Sequence, residues 1–262
     1  SWVRLLHRID ARIERFDKVY SRFRADSLVT NMSRETGSYK MPPDAYKMLD
    51  FYHQLYEATH GNVTPLIGQT MVEAGYDASY SLQKKTLHRP PKWEDVIQYD
   101  RHSLVMQRPV LLDFGAAGKG YLVDIVGQML EEAGIQTYTI NAGGDIRYRS
   151  AHKEGLPVGL ENPVDTSEAI GITTLMNASL CASAGSKRKW DDLSHTINPH
   201  TLKSPTDIIA TWVIATDTMT ADGLATALFF TEPRELMGRF SFSYALLHKD
   251  MSLEYAKDFP VM

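Results

Sequence analysis

Asp222 and Thr226 stand four residues apart in Thr-Ala-Asp-Gly-Leu-Ala-Thr-Ala-Leu, residues 220–228, a run that reads as a helix. At that spacing both side chains leave one face of it. A carboxylate and a hydroxyl oxygen suit Mg2+, a hard cation that takes oxygen ligands. The same pair also arises without a metal, with Asp222 stabilised near the helix start and Thr226 bonding its own backbone. Asp217, just upstream, either caps this helix or joins the site.

A second chemical stretch is Leu-Leu-Asp-Phe-Gly-Ala-Ala-Gly-Lys-Gly-Tyr-Leu-Val-Asp, residues 111–124. It runs apolar to Asp113, crosses the small residues Gly115, Ala116, Ala117 and Gly118, shows Lys119 and opens a helix. Small residues let backbone approach a ligand, and a helix start offers unpaired N–H groups to an anion. Lys119 adds a point charge to such a phosphate site. An ordinary strand-to-helix turn with one exposed lysine has the same letters, and a short glycine motif alone does not separate the two.

Three further segments carry polar groups at turns. Asn141-Ala142-Gly143-Gly144-Asp145 sits at a strand end, where Asp145 either receives a hydroxyl or orders the turn. Ser183–Trp190 joins small residues to Lys187, Arg188, Lys189 and an aromatic, either a solvated loop or a local site for phosphate or an acidic protein face. Ser194-His195-Thr196-Ile197-Asn198-Pro199 is a polar string between aliphatic residues, with a histidine of structural or catalytic use. Cys181, the sole cysteine, lies among small apolar residues and reads as a buried structural thiol; a disulfide within the chain and a cysteine metal cluster are both excluded.

These segments need a frame. Apolar residues at Leu5, Leu6, Ile9, Ile13, Phe16 and Val19–Tyr20 predict an amphipathic helix. A short helix through Asn31, capped by Asp26 or Ser27, follows; then a loop at 37–43 and a helix at 45–59 with Asp44 as its cap. Gln69–Ala74 reads as a short helix stopping at Gly75, and Ile97–Leu112 as a hairpin turning near residues 100–102. A helix at about 120–133 ends at Gly134. Strands are expected at 137–141, 146–148, 156–160, 169–175, 178–182, 212–215 and 243–247, with helices at 220–228 and 232–240. Strands and helices mix without a βαβ rhythm, which predicts an α+β fold of largely antiparallel sheets with packed helices.

The 262 residues are 43% hydrophobic and 23% charged, ordinary for a globular chain able to bury a sizeable core. The net charge of −4 leaves no broad basic surface, so general nucleic-acid binding is disfavoured while a local phosphate site stays open. No apolar run is long enough to cross a membrane. No G-x-G-x-x-G follows a first strand, which weighs against a dehydrogenase.

Four segments in this order, Asp113–Asp124, Asn141–Asp145, Ser194–Thr201 and Ala221–Leu228, together resemble the FAD:protein FMN transferases, the ApbE-like family formerly called thiamine-biosynthesis lipoproteins. Phe23–Ser27 and Asn31 fit the family's N-terminal segment, and Thr64-Pro65 falls where the family often has Asp-Pro. The resemblance covers nearly the whole chain and implies a single ApbE-like domain over 1–262 with a T-fold-related architecture. It implies Mg2+-dependent cleavage of the FAD pyrophosphate and transfer of FMN to a threonine or serine hydroxyl of a target flavoprotein, with release of AMP. Carried over, Asp113 and Lys119 contact FAD, His195 and Thr196 lie beside the flavin nucleotide, and Phe23, Glu73, Ala74 and Gly75 are further FAD contacts. The Ala116 carbonyl with the side-chain oxygens of Asp222 and Thr226 would hold the metal, and Lys119 and Asp222 would be catalytic, Asp222 or a neighbour serving as base.

The sequence departs from the family at several points. The Met-Gly-Thr segment usual before the first long helix is absent, Asn198 stands where aspartate is usual, Thr64 replaces a common aspartate, and Lys187-Arg188-Lys189-Trp190 is more basic than its counterpart. A protein that binds FAD, or hydrolyses it to FMN and AMP with no protein acceptor, is the alternative. For the compartment, the resemblance implies an exported, membrane-anchored lipoprotein if a signal has been removed, and a cytoplasmic protein otherwise.

Overall fold

The structure, a computed structural model, describes residues 2–152, 154–185 and 189–261. In chain order the elements are α1 (Trp2–Tyr20), α2 (Leu28–Met32), β1 (Gly37–Lys40), α3 (Ala45–Ala58), α4 (Gly68–Glu73), β2 (Ile97–Tyr99), β3 (Ser103–Met106), α5 (Gly118–Glu132), β4 (Tyr138–Ala142) and β5 (Asp145–Arg149). There follow β6 (Leu156–Glu161), β7 (Ala169–Leu175), β8 (Ser179–Ala184), β9 (Lys189–Trp190), β10 (Leu193–Ser194), β11 (Ile208–Ala215), α6 (Thr218–Ala227), α7 (Pro233–Met237), β12 (Ser243–His248) and β13 (Leu253–Tyr255). The chain packs as two compact units, Ser1–Gly118 with Trp190–Ser204, and Lys119–Lys189 with Pro205–Met262. Among the described residues no helix is long and apolar enough to cross a membrane.

The first unit is mainly helical. α3 places Met48, Leu49, Tyr52 and Leu55 in its core, and α1 contributes Leu5, Phe16 and Tyr20 at helical spacing. Ser27, rather than Asp26, caps α2, its hydroxyl accepting from Thr30 N at 3.2 Å. Asp44 precedes α3 but makes no cap bond; its carboxylate pairs with Arg12 of α1 instead. A long-range ion pair has thus taken the side chain that local reasoning assigned to the helix end. The segment expected as a loop at 37–43 contains β1, which pairs antiparallel with β3, from Gly37↔Met106 to Lys40↔Ser103. Its residues are mostly exposed, so no apolar alternation marks it, and only pairing with β3 makes it a strand.

The second unit centres on a six-stranded sheet in the order β13-β12-β11-β8-β5-β4. Each neighbouring pair runs antiparallel, as the α+β expectation required. Leu180, Ala210, Trp212, Ala245 and Leu247 fill the core on this sheet. α6 buries Ala221, Gly223, Ala225 and Ala227. Such small side chains let a helix lie close to its neighbours, and α6 packs on β8 and β11. β6 and β7 form a separate antiparallel hairpin. β13, without a sequence expectation, is a three-residue edge strand on β12.

Candidate active site

In the first unit the turn after Leu111 is fixed from several sides. Asp113 N donates to Pro65 O at 2.7 Å, and Ala117 N donates to the Tyr52 hydroxyl at 2.9 Å. The Asp113 carboxylate accepts from Gly115 N at 2.6 Å through one oxygen and from Arg22 Nε through the other. Arg22 is almost entirely buried, so a counter-charge is required there, and Asp113 supplies it. The Arg22 guanidinium also donates to Tyr76 O at 2.7 Å and lies 4.2 Å from the centroid of the Phe23 ring. Phe23 stacks on Tyr80 with centroids 5.5 Å apart and meets Tyr76 edge-on.

The same unit collects the other FAD-side candidates. Ala74, Tyr76, Trp190, Leu193 and Ile197 share one buried cluster, with Phe23 packed against it. Trp190 Nε1 donates to Ala74 O at 2.7 Å, and its ring stacks on Tyr76. His195 and the buried Thr196 lie between Leu193 and Ile197, and Thr196 N donates to the Ser194 hydroxyl. The Glu73 carboxylate accepts from His88 N at 2.8 Å, while Gly75 O accepts from Leu82 N. Phe23, Ala74, Gly75, Asp113 and the His195–Thr196 loop are therefore tied through Arg22, Tyr76 and Trp190. Arg22 and Tyr76 were not candidates from the sequence, and Trp190 entered only as the aromatic that closes the basic stretch 183–190. An arginine adjacent to Phe23 and aromatics at 76, 80 and 190 were the only local signals.

Two departures from the family pattern have structural explanations. Asn198 accepts from His200 N and Thr201 N, both at 2.9 Å, as an aspartate would, and its amide also donates to Asn62 Oδ1 at 3.0 Å. Thr64 caps the short turn Pro65–Ile67, its hydroxyl accepting from Leu66 N. Of the basic stretch 183–190, Ser186, Lys187 and Arg188 lie outside the described residues.

In the second unit Lys119 and Asp222 come together around α5 and α6. Gly120 N donates to Asp222 Oδ2 at 2.8 Å. A Cβ on Gly120 would sit 2.3 Å from Thr218 O and 2.7 Å from Asp222 Cβ, so only glycine lets the helices meet here. Gly120→Ala is expected to lower stability by about 2–3 kcal/mol through this overpacking. Urea denaturation of the metal-free protein measures it. Asp217 is the N-cap of α6, its carboxylate accepting from Thr220 N at 2.9 Å. Asp124, the last residue of the 111–124 stretch, accepts from Thr218 N and Met219 N, each at 2.8 Å, and from Arg147 Nη1 at 2.6 Å. Helix α6 is thereby anchored at its first turn, and Asp222 and Thr226 sit on it one turn apart.

Charge in this unit is concentrated and dry. Asp222 is 5% exposed and Asp145 1% exposed. Burial pushes the Asp222 carboxyl well above the usual carboxylate range; the Asp145 charge adds to this and Lys119 opposes it. Asp145 is raised likewise by burial, against the pull of Lys119. Burial would lower the Lys119 ammonium, but the negative Asp222 and Asp145 outweigh it and hold it above its ordinary value. Cys181 is fully buried with its thiol pushed well up, chiefly by burial, which matches the inert structural thiol expected.

This fold is that of solved flavin transferases. The ApbE protein of Thermotoga maritima aligns with a TM-score of 0.82 at 19% identity, over 97% of this chain and 89% of that one. The flavin transferase ApbE of Vibrio cholerae gives 0.79 at 21%, over 98% and 88%. Residues 3–242 match the ApbE family, and the chain belongs to it. Among relatives, the FAD:protein FMN transferase of Klebsiella pneumoniae is 24% identical over 249 residues, 87% of this chain and 71% of that protein. The Escherichia coli K12 protein of the same name is 29% identical over 132 residues, an alignment spanning 38% of its length.

Proposed function

We propose that this chain is an FAD:protein FMN transferase, moving FMN from FAD to a threonine or serine hydroxyl of a partner flavoprotein with Mg2+. Family membership carries the reading, and Asp222 is the observation in the structure that supports it most directly. A buried carboxylate one helical turn from a threonine hydroxyl is costly unless it serves a cation. These are hard oxygen donors of the kind Mg2+ takes. Bound there, the metal would neutralise charge on the pyrophosphate oxygens. Lys119 supplies a further positive charge for the same oxygens. The exposed Tyr80 offers an aromatic face for a ring of FAD; its ring stacks on Phe23, which Arg22 backs in turn.

In the transfer the acceptor hydroxyl oxygen bonds the FMN phosphorus, the bond from that phosphorus to AMP breaks, and the hydroxyl proton is lost. The nucleophile belongs to the partner, so no serine or cysteine of this chain is consumed. Incubation with FAD, Mg2+ and a flavin-acceptor domain should give a covalently fluorescent acceptor and AMP in equal amounts. Free FMN with an unlabelled acceptor would instead indicate hydrolysis, and no AMP at all would remove both readings.

A further inference from the structure

We propose that Asp145 is a positioning residue for Lys119, and that the Asn-Ala-Gly-Gly-Asp hairpin is a clamp that fixes where the lysine's charge meets an FAD phosphate. The second clause rests on the reading of Lys119 as a phosphate contact; the clamp itself does not. β4 and β5 pair Ala142 directly with Asp145, so the loop between them is only Gly143-Gly144. Both glycines have positive φ, 66° and 103°, the conformation a two-residue hairpin turn of this hand demands. Nothing lies within 4 Å of where a Cβ would stand on either, so conformation alone calls for glycine. The Asn141 side chain closes the turn, accepting from Gly144 N at 3.0 Å.

The strand ends on either side of this turn both reach one cation. Lys119 Nζ donates to Ala142 O at 3.3 Å and pairs with the Asp145 carboxylate. The Asp145 side chain is 1% exposed, so water cannot solvate its charge and the ammonium must. The Lys119 side chain stays 47% exposed, which leaves it open to a ligand. A lysine is long and loses much rotamer freedom when a ligand orders it. Here folding has already ordered it, so its charge is in place before FAD arrives. Each part of the motif thus has a use: asparagine to lock the turn, two glycines to make it, alanine's carbonyl and the aspartate to hold the lysine.

The test uses the full chain as wild type, Asp145→Asn, Lys119→Met and the double variant, with FAD affinity read by fluorescence quenching in MgCl2. Each single variant should weaken FAD binding about 10- to 100-fold. The double variant should bind no worse than Lys119→Met, because Asp145 supports the ligand through Lys119, while its charge works against the ionised form of Asp222. A merely structural Asp145 would give losses that add. Binding in Asp145→Asn that is unchanged or tighter, as expected if the carboxylate only repels the anionic ligand, would overturn the proposal, and so would additive losses. Wild-type protein that fails to bind FAD would overturn the ligand clause together with the functional reading. The clamp has its own readout in wild type, which also serves if Asp145→Asn does not fold. Acetic anhydride should modify Lys119 about 10-fold or more slowly than the exposed Lys257, by mass spectrometry, because a carboxylate-held ammonium resists deprotonation. Equal rates would overturn the clamp whatever FAD does.

Discussion

Asp222→Asn is expected to lower Mg2+-dependent FMN transfer by about 10^3-fold or more, while leaving the metal-free protein at least as stable as wild type near neutral pH. The activity loss follows from the metal's contribution to phosphoryl chemistry, several kcal/mol of charge neutralisation, at about 1.4 kcal/mol per factor of ten. The stability half follows from the direction of the Asp222 shift. Its carboxyl is raised well above the usual range, burial being the main cause, so the folded protein prefers the protonated form. The stability this gives is present below the ordinary carboxylate pKa and is lost as pH rises toward the raised one. Ionising Asp222 therefore opposes folding, and a neutral asparagine removes that opposition. Asparagine can still accept from Gly120 N, so the contact between α5 and α6 survives. Thermal denaturation in EDTA should show the variant melting at or above wild type, with the difference shrinking as pH falls toward 5. Adding Mg2+ should raise the wild-type midpoint by mass action and leave the variant unmoved. A variant that keeps the Mg2+ response would place the metal elsewhere.

Asp124→Ala is expected to cost about 3–5 kcal/mol, the range for removing one partner of a buried ion pair. Three donors lose their acceptor at once: Thr218 N and Met219 N at the start of α6, and Arg147 Nη1. Arg147 is itself buried, and its remaining partners are the Tyr138 hydroxyl at 3.0 Å and Glu131 at 3.1 Å, whose side chain is 44% exposed. A guanidinium left with that support still carries an under-compensated charge. The double variant Asp124→Ala, Arg147→Met should therefore be more stable than Asp124→Ala alone, because the stranded charge goes with it. Urea denaturation with an unchanged slope would measure both differences. An Asp124→Ala loss below about 1 kcal/mol would mean that water reaches this site and replaces the carboxylate.

Much was legible in the chain itself. Helical periodicity marked α1, start and stop residues marked α3 and α5, and a run of helix-forming small residues marked α6. The four-residue spacing of Asp222 and Thr226 put both on one face of α6 before any coordinates, and the order of four short motifs was enough to indicate the family. Asp217 as cap or site residue, and Asp26 or Ser27 as the cap of α2, were left open by the letters, since several partners of suitable chemistry stood within reach. Tertiary structure made those choices. It paired Arg22 with Asp113 across 91 positions, Gly120 with Asp222 across 102, and Asp124 with Thr218 across 94. It made β1 a strand although its own residues carry no strand pattern, and withdrew Asp44 from its helix to meet Arg12. The physical reason is common to all of these. Local pattern reports what a residue buries, whereas the partner of a buried charge or an unpaired strand is set by whichever distant segment the packing of the core brings against it.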